Sequence, residues 1–466
     1  MLTLTGLDPS SELPLYRQIF DQLRVMIDSG RLEAGAKLPP TRELAGQLGL
    51  NRATVSAAYE LLEADGLIAG HVGRGSFVAS SAGSRNFASA GNISFANSRP
   101  SELLFPVEEF RGACAEVIRG SEVLDVLQLG SPSGYGPLRR YLLQHAREEG
   151  VAGDGDDILI TSGCQQAFDL VQRSFVVNGE TVLIEDPVYP GLKNVFERAG
   201  SRVMGIPVAP SSLDFAKLRR VILAERPAIV AVTSNFQNPT GNTLSLAARK
   251  ELLTILDRTG ALLIENDIYG ELRYEGEALP LMKQLDPSRE TLVLRSFSKL
   301  AFPGLRVGWV IGPRRLIERL TATKQWSDLH SDQLSQAVLL RFAESGRLAQ
   351  HRERVQRTGG ERLRATLSAC ERNLPPGSHW TRPEGGMNLW VRLREPLDAS
   401  DLLQAAEREG VTYLPGRHFA VGTPEPGSLR ISFAGESPDR IKSGMAILGR
   451  VFKTGVERSR DQLVIV

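Results

Sequence analysis

Apolar positions along the chain change their period twice. Leu15, Ile19, Leu23 and Ile27 recur four apart, so one apolar stripe runs along an amphipathic helix over about 15–29. Pro39-Pro40-Thr41 opens a short second helix that continues through Leu48 and stops at Gly49. Asn51 has the chemistry of an N-cap for a third helix, on which Val55, Tyr59 and Leu62 share an inward face. GLIAGHVGRGSFV then reads as two short strands about a Gly-rich turn at 72–75. Beyond residue 92 the pattern is different. Apolar runs (DDILIT, TVLIED, AIVAVTS, ALLIEND, TLVLRSFS and VGWVIG) alternate with helical segments. That alternation predicts an α/β unit whose mostly parallel sheet is covered by helices, with ligand sites at the carboxyl ends of strands.

Between the two regimes, ASSAGSRNFASAGN at 79–92 is rich in small and polar residues and reads as a flexible linker. The chain therefore divides into a head at 1–79, a linker at 80–92 and a large domain at 93–466. The tail after about residue 454, TGVERSRDQLVIV, has weak periodicity and is expected to be loosely held. Composition adds less. Lys and Arg number 55 and Asp and Glu 54, a net charge of +1, so whole-chain charge names no partner. Three dispersed cysteines, Cys114, Cys164 and Cys370, lack metal-ligand spacing and fit a reducing compartment. No run of about 18 apolar residues predicts a membrane span. The N-terminus lacks the basic and apolar regions of a signal peptide, so the expectation is a cytoplasmic protein without a metal site.

In the head, a short helix, a tight turn and a second helix form a helix-turn-helix pattern. Residues at the start of the second helix can reach base edges and phosphates of double-stranded DNA: Asn51, Arg52, Ala53, Thr54 and Ser56. Arg42 on the preceding helix and Arg74 at the tip of the hairpin can meet phosphates. Charge does not single out this role, because residues 1–80 hold seven Lys/Arg and nine Asp/Glu, a net of −2. On pattern alone, a three-helix interaction domain stays open. The stretch from Pro14 to Val78 resembles a GntR-type winged helix-turn-helix along its length. The likeness lies in GRLEAGAKLP, TRELA, NRATV, LEADGL and GRG. The resemblance implies DNA contacts from Arg42, Arg52, Thr54 and from Gly73, Arg74 and Gly75. Ser56 stands where many relatives carry a larger side chain.

The large domain offers one candidate for each need of pyridoxal 5'-phosphate (PLP): an amine for its aldehyde, a carboxylate for its ring nitrogen, a donor for its ring hydroxyl, a phosphate cup and a stacking ring. Lys299, in Ser296-Phe297-Ser298-Lys299, follows a strand and can hold the aldehyde as a Schiff base and later move a proton. Alone it reads as a solvated surface lysine. Asp267 ends ALLIEND, and Tyr269 and Asn238 can donate to the ring hydroxyl. Thr161-Ser162-Gly163-Cys164 opens a helix whose amides can cup a phosphate, to which Arg306 adds a bidentate cation and Ser296 a hydroxyl. Tyr189 can stack on the ring or serve as a core aromatic. Arg430, inside the apolar strand SLRISFA, needs an anion. That anion is either a structural ion pair or a substrate carboxylate.

Together these motifs resemble the fold-type I PLP enzymes, the class I and II aminotransferases, from about 93 to about 450. The resemblance implies Lys299 for the Schiff base, Asp267 for the ring nitrogen, Asn238 and Tyr269 for the ring hydroxyl, and Tyr189 for stacking. It implies Ser162, Gly163, Cys164, Ser296 and Arg306 for the phosphate, and Arg430 for an amino-acid carboxylate. Tyr135, in SGYGPLRR, resembles a tyrosine that reaches the partner subunit's phosphate, which implies a homodimer with shared sites. Cys164 departs from the Ala, Ser or Thr frequent there, though its backbone amide is unaffected. A GntR-type head on such a domain resembles the MocR subfamily of bacterial regulators, in which the second domain senses PLP and amino compounds. Many MocR sensors carry an aromatic in place of Asn238 and an acidic residue in place of Gly270. This chain keeps the enzyme-like residues, so the expected function is a PLP-binding transcriptional regulator, with active aminotransferase as the alternative.

Overall fold

The computed structural model describes residues 7, 14–28, 32, 35–64, 67–71, 75–78, 92–257, 259–286 and 290–464, and the chain separates into two compact units, Met1–Asn92 and Ile93–Val466. In the first, helices α1 (Leu15–Asp28), α2 (Thr41–Leu48) and α3 (Arg52–Ala64) precede an antiparallel hairpin of β1 (Ile68–His71) and β2 (Gly75–Val78), with Ile68 opposite Val78. The four-residue spacing on α1 carries Ile19, Leu23 and Ile27 into one core with Leu44, Val55, Tyr59 and Leu62. Gly49 ends α2 at φ 66°, a left-handed position where glycine has no Cβ penalty. Asn51 Oδ1 accepts the Ala53 N–H at 3.0 Å, the capping contact its position predicts. The Tyr59 hydroxyl donates to the Pro39 carbonyl at 2.8 Å, tying α3 to the entry of α2. Gly73 and Arg74, expected at the DNA, lie outside the described residues, as does the linker at 80–91.

The second unit begins with β3 (Ile93–Ser94), then α4 (Val107–Arg119), α5 (Val123–Leu127) and α6 (Gly136–Glu148). An alternating series follows: β4 (Asp156–Thr161), α7 (Cys164–Phe175), β5 (Thr181–Asp186), α8 (Pro190–Arg198), β6 (Arg202–Ala209), β7 (Ser212–Leu213), α9 (Phe215–Glu225), β8 (Ile229–Val232), α10 (Leu246–Leu256), β9 (Leu262–Asn266), α11 (Met282–Leu285), β10 (Thr291–Ser296) and β11 (Gly308–Pro313). The strands make one eight-stranded sheet in the order β4-β11-β10-β9-β8-β5-β6-β7. Every pair from β10 through β6 is parallel, while β11 runs antiparallel to both its neighbours and β7 antiparallel to β6. Strand alternation splits the apolar residues between the two faces. On β5, Val182 and Ile184 pack with α7 and α8, and Leu183 packs with α9 and α10. Helices on both faces make the buried runs continuous rather than alternating in the sequence.

After helices α12 (Arg314–Asp328), α13 (Gln333–Glu344) and α14 (Arg347–Asn373), a four-stranded antiparallel sheet forms from β12 (His379–Trp380), β13 (Asn388–Arg392), β15 (Leu414–Pro415) and β16 (Ser428–Ser432). It packs on α14, α15 (Ala399–Arg408) and α16 (Pro438–Val464), and β3 joins this layer by pairing with β14 (Val411–Thr412). The tail is a correction. It continues α16 as helix through Val464. Nothing in TGVERSRDQLV stops a helix except Gly455, and there the missing side chain admits a neighbour. A Cβ at 455 would lie 2.9 Å from Leu402 Cδ2. Among the described residues no helix is long and apolar enough to cross a membrane.

Candidate cofactor site

A cavity of about 140 Å³ opens at the carboxyl ends of β8, β9 and β10. A void of about this size admits one six-membered aromatic ring. The parallel strands deliver their terminal polar residues to this edge, so residues far apart in sequence line it together. Cys164, Tyr189, Asn238, Tyr269, Ser296, Lys299 and Arg306 are all on its wall, joined by Thr233 and Ser298. Of the residues expected from sequence, Ser162, Gly163, Asp267, Arg430 and Tyr135 are not on that wall, although the first four touch residues that are, or stand next to them in the chain.

Lys299 closes the 3-10 turn Phe297–Lys299 directly after β10. Its Nζ donates to the Ser98 carbonyl at 2.8 Å and lies 5.5 Å from the centre of the Tyr269 ring. Tyr269 is itself buried. At one end of the cavity Arg306 Nη2 donates to the Ser162 carbonyl at 3.2 Å, and Nη1 to Ser298 Oγ at 3.3 Å. The guanidinium lies over Gly163, which caps α7 at φ 84°; a Cβ at that glycine would stand 2.3 Å from Arg306 Nη2. A fixed cation and the free amides of a helix start thus share one place, which suits a dianion. Ser296 Oγ accepts the Ser298 N–H at 3.1 Å and bonds the Val307 carbonyl at 3.0 Å. Ser162 turns its hydroxyl to Ser331 Oγ at 3.2 Å, away from the wall. The Cys164 thiol donates to the Arg295 carbonyl at 3.6 Å. Burial pushes that thiol up to about 12 against the pull of Lys299 and Arg306, so it stays neutral.

Tyr189 presents a half-open ring at the start of α8. Gly191 makes this possible, because a Cβ there would fall 2.3 Å from Tyr189 Cε1. Opposite, Asn238 Oδ1 accepts from Arg430 Nη1 at 3.0 Å, which leaves the Asn238 amide nitrogen as a donor on the cavity wall. Arg430 answers the question its sequence position raised. Among the described residues it makes no ion pair. Nη2 donates to the Ala96 carbonyl, the guanidinium lies 5.0 Å from the Phe419 ring centre, and Nε is buried without a partner. Burial pushes Arg430 down to about 10, opposed by Tyr269 and Tyr189, so it remains a cation at neutral pH. A buried cation lacking a counter-charge is costly, and its free Nε can still donate to an anion.

Asp267 follows β9 beneath the cavity and is buried. Oδ1 accepts from Asn235 Nδ2 at 2.8 Å and Oδ2 from Arg295 Nε at 3.0 Å. Each carboxylate oxygen has a second lone pair, so a further donor can still be accepted. Gly270 keeps the carboxylate in place, since a Cβ there would lie 2.3 Å from Asp267 Oδ1. Tyr135 sits apart, its N–H donating to Gln336 Oε1 at 2.8 Å. The sequence reading missed Ser298, Arg295, Asn235 and the segment at 96–98. Ser298 had a signal, a second hydroxyl in Ser-Phe-Ser-Lys. Arg295 looked like one more strand residue, and only the tertiary fold brings Ala96 and Ser98 to Arg430 and Lys299. In the head, Arg42, Asn51 and Arg52 are exposed and Thr54 and Ser56 half-buried along the start of α3 and on α2.

Residues 115–448 match the family described as aminotransferase class I and II, and residues 15–78 match the bacterial regulatory proteins of the gntR family. The uncharacterized HTH-type transcriptional regulator YdfD of Bacillus subtilis is 30% identical, over 95% of this chain and 97% of its own length. The probable rhizopine catabolism regulatory protein MocR of Rhizobium meliloti is 28% identical, over 96% of this chain and 95% of its own. Among solved structures, LysN, an alpha-aminoadipate aminotransferase of Thermus thermophilus complexed with N-(5'-phosphopyridoxyl)-L-leucine, superposes with a TM-score of 0.73 at 34% identity, covering 78% of this chain and 92% of LysN.

Proposed function

The chain belongs to the class I and II aminotransferases and carries a gntR-family head, and from that premise we propose how it works as a MocR-like, PLP-binding transcriptional regulator. The observation that carries the reading is the meeting of the Lys299 amine and the Arg306 guanidinium on one ring-sized cavity, in a chain whose head matches a DNA-binding family. When bound, PLP supplies an aldehyde that reacts with amines and a ring that withdraws electrons. Lys299 holds the aldehyde carbon. Arg306, the amides at the start of α7, Ser296 and Ser298 hold the phosphate, with Gly163 leaving room for the guanidinium. Tyr269 and the Asn238 amide donate to the ring hydroxyl, Tyr189 covers the ring face and Asp267 faces the ring nitrogen. Arg430 takes the carboxylate of an amino compound in exchange for the Ala96 carbonyl. That exchange gives the buried cation its missing counter-charge.

The head reads DNA through Asn51, Arg52, Thr54 and Ser56, with Arg42 and the hairpin tip (Gly73 and Arg74) on phosphates. DNA as partner places the protein in the cytoplasm. The working form is a homodimer. Its support is the run of exposed apolar side chains between residues 103 and 129 (Leu103, Val107, Ile118, Leu124, Leu127 and Leu129), which a partner can cover. Tyr135 then serves the partner's phosphate site. A second reading, catalysis of amino transfer, has its own support in Gly270 and Asn238. Both leave Asp267 and Arg430 undisturbed, as an enzyme needs.

The test uses duplex DNA that the full-length protein selects from a random pool. Affinity for that DNA should change several-fold when PLP-loaded protein meets a single amino acid, and the change should vanish in Arg430→Ala. An affinity indifferent to both PLP and every amino acid would reject the regulator reading, and sustained conversion of an amino acid to its keto acid would favour the enzyme.

A further inference from the structure

The carboxylate assigned to the ring nitrogen is not alone. Asp267 Oδ2 accepts from Arg295 Nε at 3.0 Å, in a pair whose side chains are only 4% and 17% exposed. Arg295 in turn places Nη1 2.5 Å from Glu149 Oε2, on a side chain 44% exposed. Burial works against the charge of Arg295, and Asp267 and Glu149, with Glu271 beside them, more than restore it, so the guanidinium is a fixed cation. The other oxygen of Asp267 is held just as firmly. Arg249 Nη2 donates to Asn235 Oδ1 at 2.7 Å, which commits the Asn235 amide to donate to Asp267 Oδ1.

A carboxylate keeps a pyridine nitrogen protonated through its negative charge. A buried cation on the same carboxylate shares that charge, and in a poorly solvated site neighbouring charges act strongly. We propose that Arg295 is a positioning residue acting through Asp267: it holds the cofactor's ring nitrogen less protonated than Asp267 alone would, and Glu149 sets how much of its charge is left to do so. The inference rests on the PLP reading above. It gives the domain a reason to bind amines while driving them less readily through amino transfer, because a less protonated ring is a weaker electron sink.

The experiment loads the full-length protein with PLP carrying ¹⁵N in its ring and follows the ring-nitrogen NMR signal across pH, in wild type, Arg295→Gln and Glu149→Gln. Arg295→Gln should raise the pH at which the ring nitrogen loses its proton by about 1–3 units, the usual effect of one close charge. Glu149→Gln should move it the opposite way, by less. A purely structural Arg295 would move both variants alike or neither, and either result overturns the proposal. Glu149 sits near the surface, so its variant keeps the fold and decides the matter even where Arg295→Gln does not fold. Wild-type protein that takes up no PLP would instead bring down the underlying reading, and this inference with it.

Discussion

Single residues here are understood through what they leave open. Gly270 is a small residue at a crowded place, and Arg430 a cation without an anion. An aspartate at 270 would drive its side chain into Asp267 Oδ1. Gly270→Asp is therefore expected to weaken PLP retention at least tenfold, measured by equilibrium dialysis against free PLP, whereas Gly270→Ala should fall between the two. Equal retention in all three would mean that Asp267 does not depend on this glycine. That Lys299, Asn238 and Arg306 meet on one cavity was legible in the sequence, because each stands at a strand end or in a short motif with few alternatives. Arg295 was not, since a charged residue inside TLVLRS carries no sign of the carboxylate it meets. Nor did the sequence show that Arg430 would be matched by an amide and a carbonyl rather than by an ion pair, because its partners Asn238 and Ala96 lie far from it in the chain.

At the scale of elements, the two apolar periods translated well. The four-residue spacing of α1 and the runs that became β4, β5, β8, β9, β10 and β11 are all in place, because each buries enough apolar surface to outweigh local propensity. The tail was misjudged for the converse reason: its polar sequence has little periodicity, yet it continues a helix already anchored by Met445, Leu448 and Phe452. In the head, the start of α3 is the segment we propose for DNA recognition. Arg52→Ala should weaken binding to the selected DNA by about 1–3 kcal/mol without changing the melting temperature; unchanged binding would remove α3 from the interface. At the end of β5, Glu185 is buried, and burial raises it from 4.5 to about 8, against a Thr233 N–H that it accepts at 3.0 Å. The folded state therefore binds this proton more tightly than the unfolded state. Stability should fall as pH rises between those two values, by about 1.4 kcal/mol per unit from this group. Glu185→Gln should flatten that part of the stability profile in denaturant titrations. A slope identical to wild type would mean that Glu185 is already ionised.

At the scale of the whole molecule, the homodimer is a proposal that can be tested directly. The dimer makes its own prediction. Leu124→Glu with Leu127→Glu should yield a monomer by light scattering, and that monomer should hold PLP more weakly because Tyr135 of the partner is lost. A dimer that survives both charges would place the interface elsewhere. The central claim, however, is chemical: a Schiff base between PLP and Lys299. The most direct measurement is the visible spectrum of the purified full-length protein titrated with PLP, beside Lys299→Ala. The account predicts a visible absorbance band that saturates at one PLP per chain in the wild type and is absent from the variant. No band in the wild type, or the same band in Lys299→Ala, would contradict it.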